Sequence, residues 1–374
     1  MRNFGCPTAS SRSAIEVRVA AFTKYDREAA STRQRVLQYL PHLERAGIKV
    51  DVYPLLDDDY VRALASGEAP SRPAIAAAYA RRFRQLFRGP SADLLWVYAE
   101  LFPWLPAAFE RLAFRSRKPV LYDFDDAFFH PYDDHPNPLM RALLGGKLVP
   151  LIEGAAAVCA GNRYLGDYAA RHNDATQILP TVVDIEQYRP GTLGKRPLTI
   201  GWIGSPSTWQ FVRPSLPLLA ELCRGRGVRF LAVGAGAAAE SDRFDGMILE
   251  PWSEAGEIAS VQAMDIGIMP LPDVPWARGK SGYKLIQYMA CGLPVVASPV
   301  GVNSEIVADG TTGFLARHLG QWREALTRLI DDAELRQTMG QAGRAEAAAR
   351  YSLQVHAPRL VEIMRRAAQG QVRT

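Results

Sequence analysis

The sequence lacks the long apolar segments of membrane proteins and the paired cysteines of small secreted domains. No run of about 18 apolar residues occurs, so we expect no helix that crosses a bilayer. The N-terminal segment has no apolar centre of a secretion signal, and its polar composition predicts a disordered leader over residues 1–14. The four cysteines are scattered, without a C-x-x-C pair or a His–Cys cluster, which disfavours zinc sites and disulfide frameworks and is typical of a reducing cytoplasm.

An excess of charge of one sign is also missing. Of the 374 residues, 48% are hydrophobic and 22% are charged, which is typical of a globular protein with a sizeable core, and the length allows two or three domains. The net charge of +5 and the isoelectric point near 9.0 suit an anionic ligand or an anionic membrane surface. No nucleic-acid-binding motif occurs, so we expect no nucleic acid among the partners.

Short apolar runs alternate with longer helical patterns along the chain, which is typical of βαβ units and parallel sheets. The pattern restarts after a segment rich in proline and glycine, Gln187–Pro197, which indicates a linker. We therefore predict an α/β protein of two doubly wound, Rossmann-like domains, residues 15–190 and 191–354. One helix is predicted over Thr32–Ala46. The predicted strands are Val17–Phe22, Val50–Pro54, Leu94–Val97, Val120–Tyr122, Ala156–Ala160, Thr199–Ile203, Arg229–Val233, Met247–Leu249, Ile266–Pro270 and Val295–Ser298.

The segment from Arg278 to Ser298 carries the strongest pattern. Ligands of doubly wound sheets bind at the carboxyl ends of strands, beside helix N-termini. Here two glycines precede a helix start, and two lysines add positive charge within one turn, so a phosphate ligand is favoured. A glutamine on the same helical face can reach a ribose. An amphipathic helix with solvated lysines is the alternative. The candidate donor-binding residues of this segment are Lys280, Ser281, Gly282, Tyr283, Lys284 and Gln287.

This segment, together with residues 300–316, closely resembles the donor-binding half of family-four glycosyltransferases. Residues 200–208 resemble the first strand and glycine turn of their second domain, and residues 266–271 resemble the strand before the donor motif. The resemblance implies the GT-B fold, in which two domains face each other across a cleft. It also implies sugar transfer from a nucleotide donor with retention, no divalent metal or other cofactor, and a C-terminal helix, residues 355–374, that packs back on the N-terminal domain.

The chain departs from the family at one motif. Family members commonly carry two glutamates separated by seven residues, and counting places Gly279 and Gln287 at these positions. Gln287 can still hydrogen-bond a ribose as a neutral donor and acceptor, whereas Gly279 has no side chain to contribute. The chain is similar in this respect to a bacterial subgroup with a lysine-rich version of the motif.

Two other places in the second domain are candidates for donor contact. The turn after the strand at 199–203 supplies a glycine and three hydroxyl groups that suit a pyrophosphate, although the same residues form ordinary helix N-caps. Trp252 lies where the family's loop flanks the nucleotide base, and a buried core aromatic is the alternative. The turn residues are Gly204, Ser205, Ser207 and Thr208.

Acidic residues follow two strands of the first domain. Asp125 and Asp126 come after the strand at 120–122, near the position of a functional histidine in many family members, and Glu100 follows the strand at 94–97. Because clustered carboxylates raise one another's pKa, we expect one of them to accept a proton or to stabilise a positive sugar. For the aspartates, the alternatives are a metal site, phosphatase chemistry and helix capping, and for Glu100 the alternative is capping.

The acceptor and the membrane are predicted from less specific patterns. Polar residues after the first strand suit a phosphate or an acidic acceptor, and a solvated capped helix is the alternative. A histidine near the carboxylates is a further candidate for this site, and a structural role is the alternative. The basic amphipathic stretch Ile75–Arg88 suits an anionic membrane, and a helix packed on its own domain is the alternative. The candidate acceptor-binding residues are Ser31, Thr32, Arg33, Arg35 and His130.

The sequence thus predicts a cytoplasmic, metal-independent glycosyltransferase of polysaccharide or glycolipid biosynthesis, compatible with the inner face of the cell membrane. It would move a hexose from a nucleotide-diphospho-sugar to a saccharide or lipid-linked saccharide. A sugar-nucleotide epimerase of the same fold, and a degenerate GT-B domain that only binds or scaffolds, are the alternatives. The base, the sugar, the acceptor and the oligomeric state are not specified by the sequence.

Overall fold

Residues 16–191 and 196–370 are described by a computed structural model of the protein. The predicted leader, residues 1–14, and part of the predicted linker lie outside these ranges. Within them, no helix is both long and apolar enough to cross a membrane.

The apolar runs of the first half of the chain form the six strands of one parallel sheet. These strands are β1 (Val17–Tyr25), β2 (Ile48–Leu56), β3 (Leu94–Tyr98), β4 (Val120–Phe124), β5 (Ala157–Ala160) and β6 (Thr176–Ile178). Their order in the sheet is β2-β1-β3-β4-β5-β6. The strands β3 and β4 are buried along their whole length, as expected for a parallel sheet that is covered on both faces.

The second half of the chain repeats this arrangement with another parallel sheet of six strands. These strands are β7 (Thr199–Ile203), β8 (Arg229–Val233), β9 (Met247–Glu250), β10 (Ile266–Met269), β11 (Val295–Ala297) and β12 (Gly313–Leu315). Their order is β12-β11-β10-β7-β8-β9. The predicted doubly wound α/β class is confirmed, whereas β6 and β12, of three residues each, were not predicted.

Helices connect the strands and cover the sheets in both domains. In the first domain they are α1 (Ala30–Arg35), α2 (Leu40–Arg45), α3 (Asp58–Ser66), α4 (Arg72–Arg88), α5 (Ala107–Glu110), α6 (His130–Asp133), α7 (Pro138–Leu144), α8 (Val149–Gly154) and α9 (Arg163–Ala170). The later helices are α10 (Pro206–Trp209), α11 (Leu216–Arg226), α12 (Glu257–Gln262), α13 (Pro275–Arg278), α14 (Tyr283–Ala290), α15 (Asn303–Ile306), α16 (Leu319–Asp331), α17 (Ala333–Arg350) and α18 (Leu353–Ala368).

The prediction of one continuous helix over Thr32–Ala46 is wrong. The chain forms α1, a short 3-10 turn over Leu37–Tyr39, and α2. Val36 leaves the helical region with φ −122° and ψ −61°. Pro41 is the second residue of α2 and has no N–H to continue a hydrogen-bond ladder from the preceding turn, which accounts for the break.

The helix α18 belongs to the core of the first domain although it follows the second domain in sequence. Its apolar residues, including Leu360 and Met364, lie in one buried cluster with Val19 and Trp96 of the first sheet. An isolated parallel bridge between Val183 and Ser352 joins the two chain segments before this helix begins.

Candidate functional site in the cleft

The loop before α14 and its first turn bring two lysines to the cleft. Gly282 precedes the helix with φ +68°, a left-handed conformation that glycine adopts without strain. The helix has no side-chain N-cap, so its first N–H groups are not occupied by a side chain of its own cap. Lys280 and Lys284 flank this positive helix end, which therefore combines the features of an anion site.

Lys284 has no anionic partner among the residues that the structure describes. No carboxylate lies within ion-pair distance, and its Nζ lies 5.8 Å from the centroid of the Trp202 ring. Burial lowers the pKa of Lys284 to about 8, and the nearby Lys280 acts in the same direction, while Asp126 opposes both. A bound anion would relieve this unfavourable environment.

Asp126 reaches this lysine pair from the opposite domain. Its Oδ2 accepts a hydrogen bond from Lys280 Nζ at 3.2 Å, while its Oδ1 is buried without a hydrogen-bond partner in residues 16–191 and 196–370. Burial raises the pKa of Asp126 above its usual value, Lys280 lowers it in part, and the neighbouring Asp125 adds to the rise. Asp126 is therefore a carboxylate suited to accepting a proton.

The two domains touch where the family's first glutamate would lie. A Cβ built on Gly279 would overlap the Cβ of Ala127 in the first domain. The side-chain amide of Asn162 also donates to the carbonyl oxygens of Gly279 and Lys280, each at 3.1 Å. A side chain at position 279 therefore does not fit this arrangement of the domains.

Asp125 is held inside the first domain. The hydroxyl of Tyr98 donates to its Oδ1 at 2.7 Å, and the hydroxyl of Thr181 donates to its Oδ2 at 2.9 Å. Both oxygens thus have internal partners, and the side chain connects Tyr98 and Thr181 next to Asp126. Its catalytic role stays a prediction.

Glu100 lies in a buried network of opposite charges. Its Oε1 pairs with Lys24 Nζ and its Oε2 with Lys147 Nζ, both at 2.9 Å, and the Tyr132 hydroxyl donates to Oε2 at 2.6 Å. Burial alone would raise the pKa of Glu100, but Lys24 and Lys147 together hold it below its usual value. Glu100 is thus arranged as a fixed anion rather than as a proton acceptor.

The hydroxyl turn after β7 bonds largely to itself. Ser205 Oγ lies 3.0 Å from Ser207 Oγ, and Thr208 Oγ1 accepts from Ser205 N–H at 3.2 Å in a capping box. A Cβ on Gly204 would overlap the ring of Trp202, so glycine is required for packing here. The geometry is that of an N-cap, and contact with a donor stays a prediction.

Trp252 lies in a polar cluster that joins both domains. Its Nε1 donates to Glu257 Oε2 at 2.8 Å, and the guanidinium of Arg33 stacks over its ring at 4.3 Å from the centroid. Arg33 Nη2 lies 3.8 Å from the same carboxylate. Arg33, predicted to bind the acceptor, is therefore placed against the loop predicted to flank the base.

Two other candidate acceptor residues, Thr32 and Arg35, have internal partners. Thr32 Oγ1 donates to the carbonyl of Tyr25 at 2.9 Å, next to Ser31 on α1. Arg35 is fully buried, forms an ion pair with Asp123 and donates to the Leu179 carbonyl at 2.8 Å. The structure therefore places Arg35 in the core of the first domain, where its charge is already paired.

His130 lies at the first turn of α6 between two polar partners. Its Nε2 is 2.7 Å from the Tyr164 hydroxyl, and its Nδ1 is 2.9 Å from Asp133 Oδ1. Both ring nitrogens are thus hydrogen-bonded, and contact with an acceptor stays a prediction.

Sequence reasoning missed Asn162, Lys147 and Glu257. Asn162 follows β5 after one glycine, so its place at a strand's carboxyl end was an available clue. Lys147 and Glu257 come from segments without any motif, and their partners are distant in sequence.

In comparisons with known proteins, parts of the chain match glycosyltransferases. Residues 198–332 match the family Glycosyl transferases group 1. The chain is 30% identical over 265 residues to the D-inositol 3-phosphate glycosyltransferase of Segniliparus rotundus and 28% identical over 244 residues to that of Nocardia farcinica. The matches cover 63% and 58% of this chain and 57% and 53% of those proteins, so the chain spans about half the length of these relatives.

Solved structures resemble the chain over nearly its whole length. The sucrose-phosphate synthase of Thermosynechococcus elongatus superposes with a TM-score of 0.71 at 16% identity, covering 94% of this chain and 98% of that chain. Anabaena HepE in complex with UDP and glucose gives 0.67 at 16% identity, with coverages of 92% and 98%. The predicted GT-B fold, two Rossmann-like domains across a cleft, is confirmed.

The contact at position 279 leads to the first prediction. Gly279 has an ordinary helical conformation, φ −82°, so Gly279→Ala introduces only the overlap with Ala127. We expect the variant to lose about 1–3 kcal/mol in its free energy of unfolding and to adopt a larger radius of gyration, because the domains must separate. Denaturant unfolding and small-angle scattering measure the two quantities.

The double variant Gly279→Ala/Ala127→Gly removes the overlapping methyl group and should bring the radius of gyration back towards that of the unmodified protein. Gly146→Ala is the control, because a Cβ there meets open space. A single variant with unchanged stability and radius would show that the domains do not meet at Gly279.

Proposed function

We propose that the protein is a glycosyltransferase that uses a nucleotide-diphospho-sugar without a metal ion. The observation that carries the proposal is the position of Lys284, which has no carboxylate partner within residues 16–191 and 196–370. It lies beside Lys280 at the uncapped start of α14, near Asp126 of the other domain. Two ammonium groups and a helix N-terminus match the charge of a diphosphate and supply the stabilisation that a cation would otherwise give. The match of residues 198–332 to group 1 glycosyl transferases supports the assignment.

A UDP-sugar is the donor that we propose first. Solved structures of the same fold contain UDP or UDP-glucose, as in Anabaena HepE. The relatives from Segniliparus and Nocardia are also named glycosyltransferases.

The proposed step breaks the bond between C1 of the sugar and the diphosphate oxygen, and the electron pair leaves with the diphosphate. The oxygen of the acceptor hydroxyl forms a bond to C1, and its proton passes to Asp126 and then to the released diphosphate or to water. Lys280 and Lys284 stabilise the charge that develops on the leaving group.

We propose retention of configuration at C1. Asp126 Oδ2 lies 3.2 Å from Lys280 Nζ, so the proton acceptor and a group that binds the leaving phosphate are neighbours although they come from different domains. Retention without a covalent intermediate requires the hydroxyl to approach from the face that the phosphate leaves.

Calorimetric titration with UDP in EDTA tests the phosphate site. We expect Lys284→Ala to weaken UDP binding at least about tenfold, because a charge-assisted contact is lost. We also expect the affinity of the unmodified protein to fall as the pH rises from 7 to 9. The pKa of Lys284 is lowered to about 8, so its ammonium loses its proton in this range, whereas the terminal phosphate, with a pKa of about 6, stays charged.

GDP, ADP and dTDP titrated in parallel identify the base. Arg84→Ala, on the exposed face of α4, is the control and should bind UDP normally. The metal-free phosphate site is refuted if no diphosphate binds without a metal. Conversion of a nucleotide sugar without acceptor would instead indicate an epimerase.

A second experiment tests the proton acceptor. We expect Asp126→Asn to reduce the rate of UDP release from UDP-glucose, in water or with an acceptor, by about 10²- to 10⁴-fold while UDP binding is retained. Asp134→Asn, on an exposed turn of the same domain, is the control. Full activity in Asp126→Asn would exclude this residue as the base.

We further propose a saccharide or lipid-linked saccharide acceptor at an anionic membrane. On α4, the rings of Phe83 and Phe87 stack 5.8 Å apart and are 41% and 52% exposed. Arg84 and Arg88 lie beside them on the exposed side of the helix. Exposed aromatic rings flanked by arginines are typical of contact with anionic lipid headgroups.

Sedimentation with lipid vesicles tests this surface. We expect the protein to sediment with vesicles that contain an anionic lipid and not with neutral ones, and expect Phe83→Ser/Phe87→Ser to reduce the bound fraction several-fold. Leu139→Ser, an exposed leucine on α7, is the matched control. Equal binding of the double variant and the unmodified protein would rule out α4 as the contact.

A further inference from the structure

Gln287 stands where the family has its second glutamate, and the structure fixes its amide group in one orientation. Its Nε2 donates to Glu257 Oε1 at 2.8 Å and to the Tyr188 hydroxyl at 3.0 Å. The amide oxygen accepts no hydrogen bond from the residues that the structure describes. This oxygen is not fully buried. The amide thus turns its two N–H groups inward and leaves its oxygen as a free acceptor.

The partners of Gln287 permit only this orientation. The Tyr188 hydroxyl donates its own proton to Glu257 Oε1, so towards Gln287 it is an acceptor. Burial raises the pKa of Tyr188 far above its usual value, and this hydroxyl therefore keeps its proton. If the amide were reversed, its oxygen would face a carboxylate and lose both hydrogen bonds.

Glu257 is itself held in place by groups from both domains. Its Oε2 accepts from Trp252 Nε1 at 2.8 Å, and Arg33 Nη2 lies 3.8 Å away. The carboxylate therefore connects the loop predicted to flank the base with the position predicted to bind the ribose. Glu257 begins α12, seven residues after the end of β9, and belongs to no family motif on which the prediction rested.

We propose that Glu257 is a positioning residue that makes Gln287 a hydrogen-bond acceptor for a ribose hydroxyl of the donor. A glutamine alone presents either an oxygen or an N–H group to a ligand, whereas the glutamate of the family presents only an oxygen. Glu257 removes this ambiguity because it holds the N–H groups of Gln287. The oxygen of Gln287 then accepts the proton of a ribose hydroxyl, as the oxygen of a glutamate would. The inference rests on the proposed donor site.

Fluorinated nucleotides test the direction of this hydrogen bond. In 2′-deoxy-2′-fluoro-UDP and 3′-deoxy-3′-fluoro-UDP the hydroxyl is replaced by a group that cannot donate. We expect the unmodified protein to bind UDP about tenfold more tightly than at least one of these analogues, as measured by calorimetry.

Glu257→Gln should reverse the amide of Gln287. The new amide must turn its oxygen to Trp252 Nε1, and its N–H groups then face Gln287, whose oxygen turns inward to accept from them. An N–H group now faces the ribose. We expect the preference for UDP over the fluorinated analogue to fall to about threefold or less.

The exchange variant Glu257→Gln/Gln287→Glu restores an oxygen at position 287 and keeps hydrogen-bond partners for Trp252 and Tyr188, although the carboxylate near Arg33 is lost. We expect it to regain the preference of the unmodified protein. Glu254→Gln, an exposed glutamate in the same loop, is the control and should leave the preference unchanged. Thermal unfolding of each variant confirms that it is folded.

The possible results separate this inference from the proposed function. If UDP binds to the unmodified protein but the preference is unchanged in Glu257→Gln, Glu257 does not orient the amide. If both fluorinated analogues bind as tightly as UDP, no ribose hydroxyl donates to Gln287. If no nucleoside diphosphate binds at all, the donor site itself is refuted, and the inference falls with it.

Discussion

The close contact between the two domains at Gly279 determines the chemistry of the cleft. Because Ala127 fills the space that a side chain at 279 would need, the loops after β4 and before α14 lie against each other. This contact brings Asp126 to 3.2 Å from Lys280. A carboxylate and an ammonium group from different domains can lie this close only because neither backbone is kept away by a larger residue.

The carboxylates of the site come from elements other than those of the related family. Gly279 and Gln287 occupy the positions of two glutamates, yet an acidic side chain lies near each of them. Asp126 approaches the first position from the other domain, and Glu257 contacts the second from the start of α12. Each of these two positions therefore has a carboxylate nearby that is supplied by another element of this chain.

The sequence predicted the features that depend on neighbouring residues. Continuous apolar runs indicate buried parallel strands, and the structure contains these strands. Glycine and lysine before an apolar helix indicate an anion site, which stays a prediction. The strands β6 and β12 were missed because their three residues do not form a continuous apolar run, whereas β11, which is equally short, consists of buried valine and alanine. The apolar spacing over Thr32–Ala46 is that of one continuous helix, but Pro41 interrupts it. The interruption comes from the missing N–H group of proline, which the spacing of apolar residues does not reveal.

The arrangement of ion pairs could not be predicted in the same way. Glu100 is 76 residues from Lys24, and Arg35 is 88 residues from Asp123, so only the folded sheet brings them together. A buried charge without its partner is strongly unfavourable, and the partner therefore decides whether such a residue is structural or free to act. Of the carboxylates Glu100, Asp125 and Asp126, only Asp126 keeps an oxygen without a partner in the described residues.

The position of α18 affects how the chain is made. Its residues complete the buried cluster of the first sheet, but they are separated from that sheet by the whole second domain. During synthesis the first domain leaves the ribosome before its last helix, α18, has been made. All strands of the second domain are made before α18. The half of the protein that is translated first is consequently the half that finishes folding last.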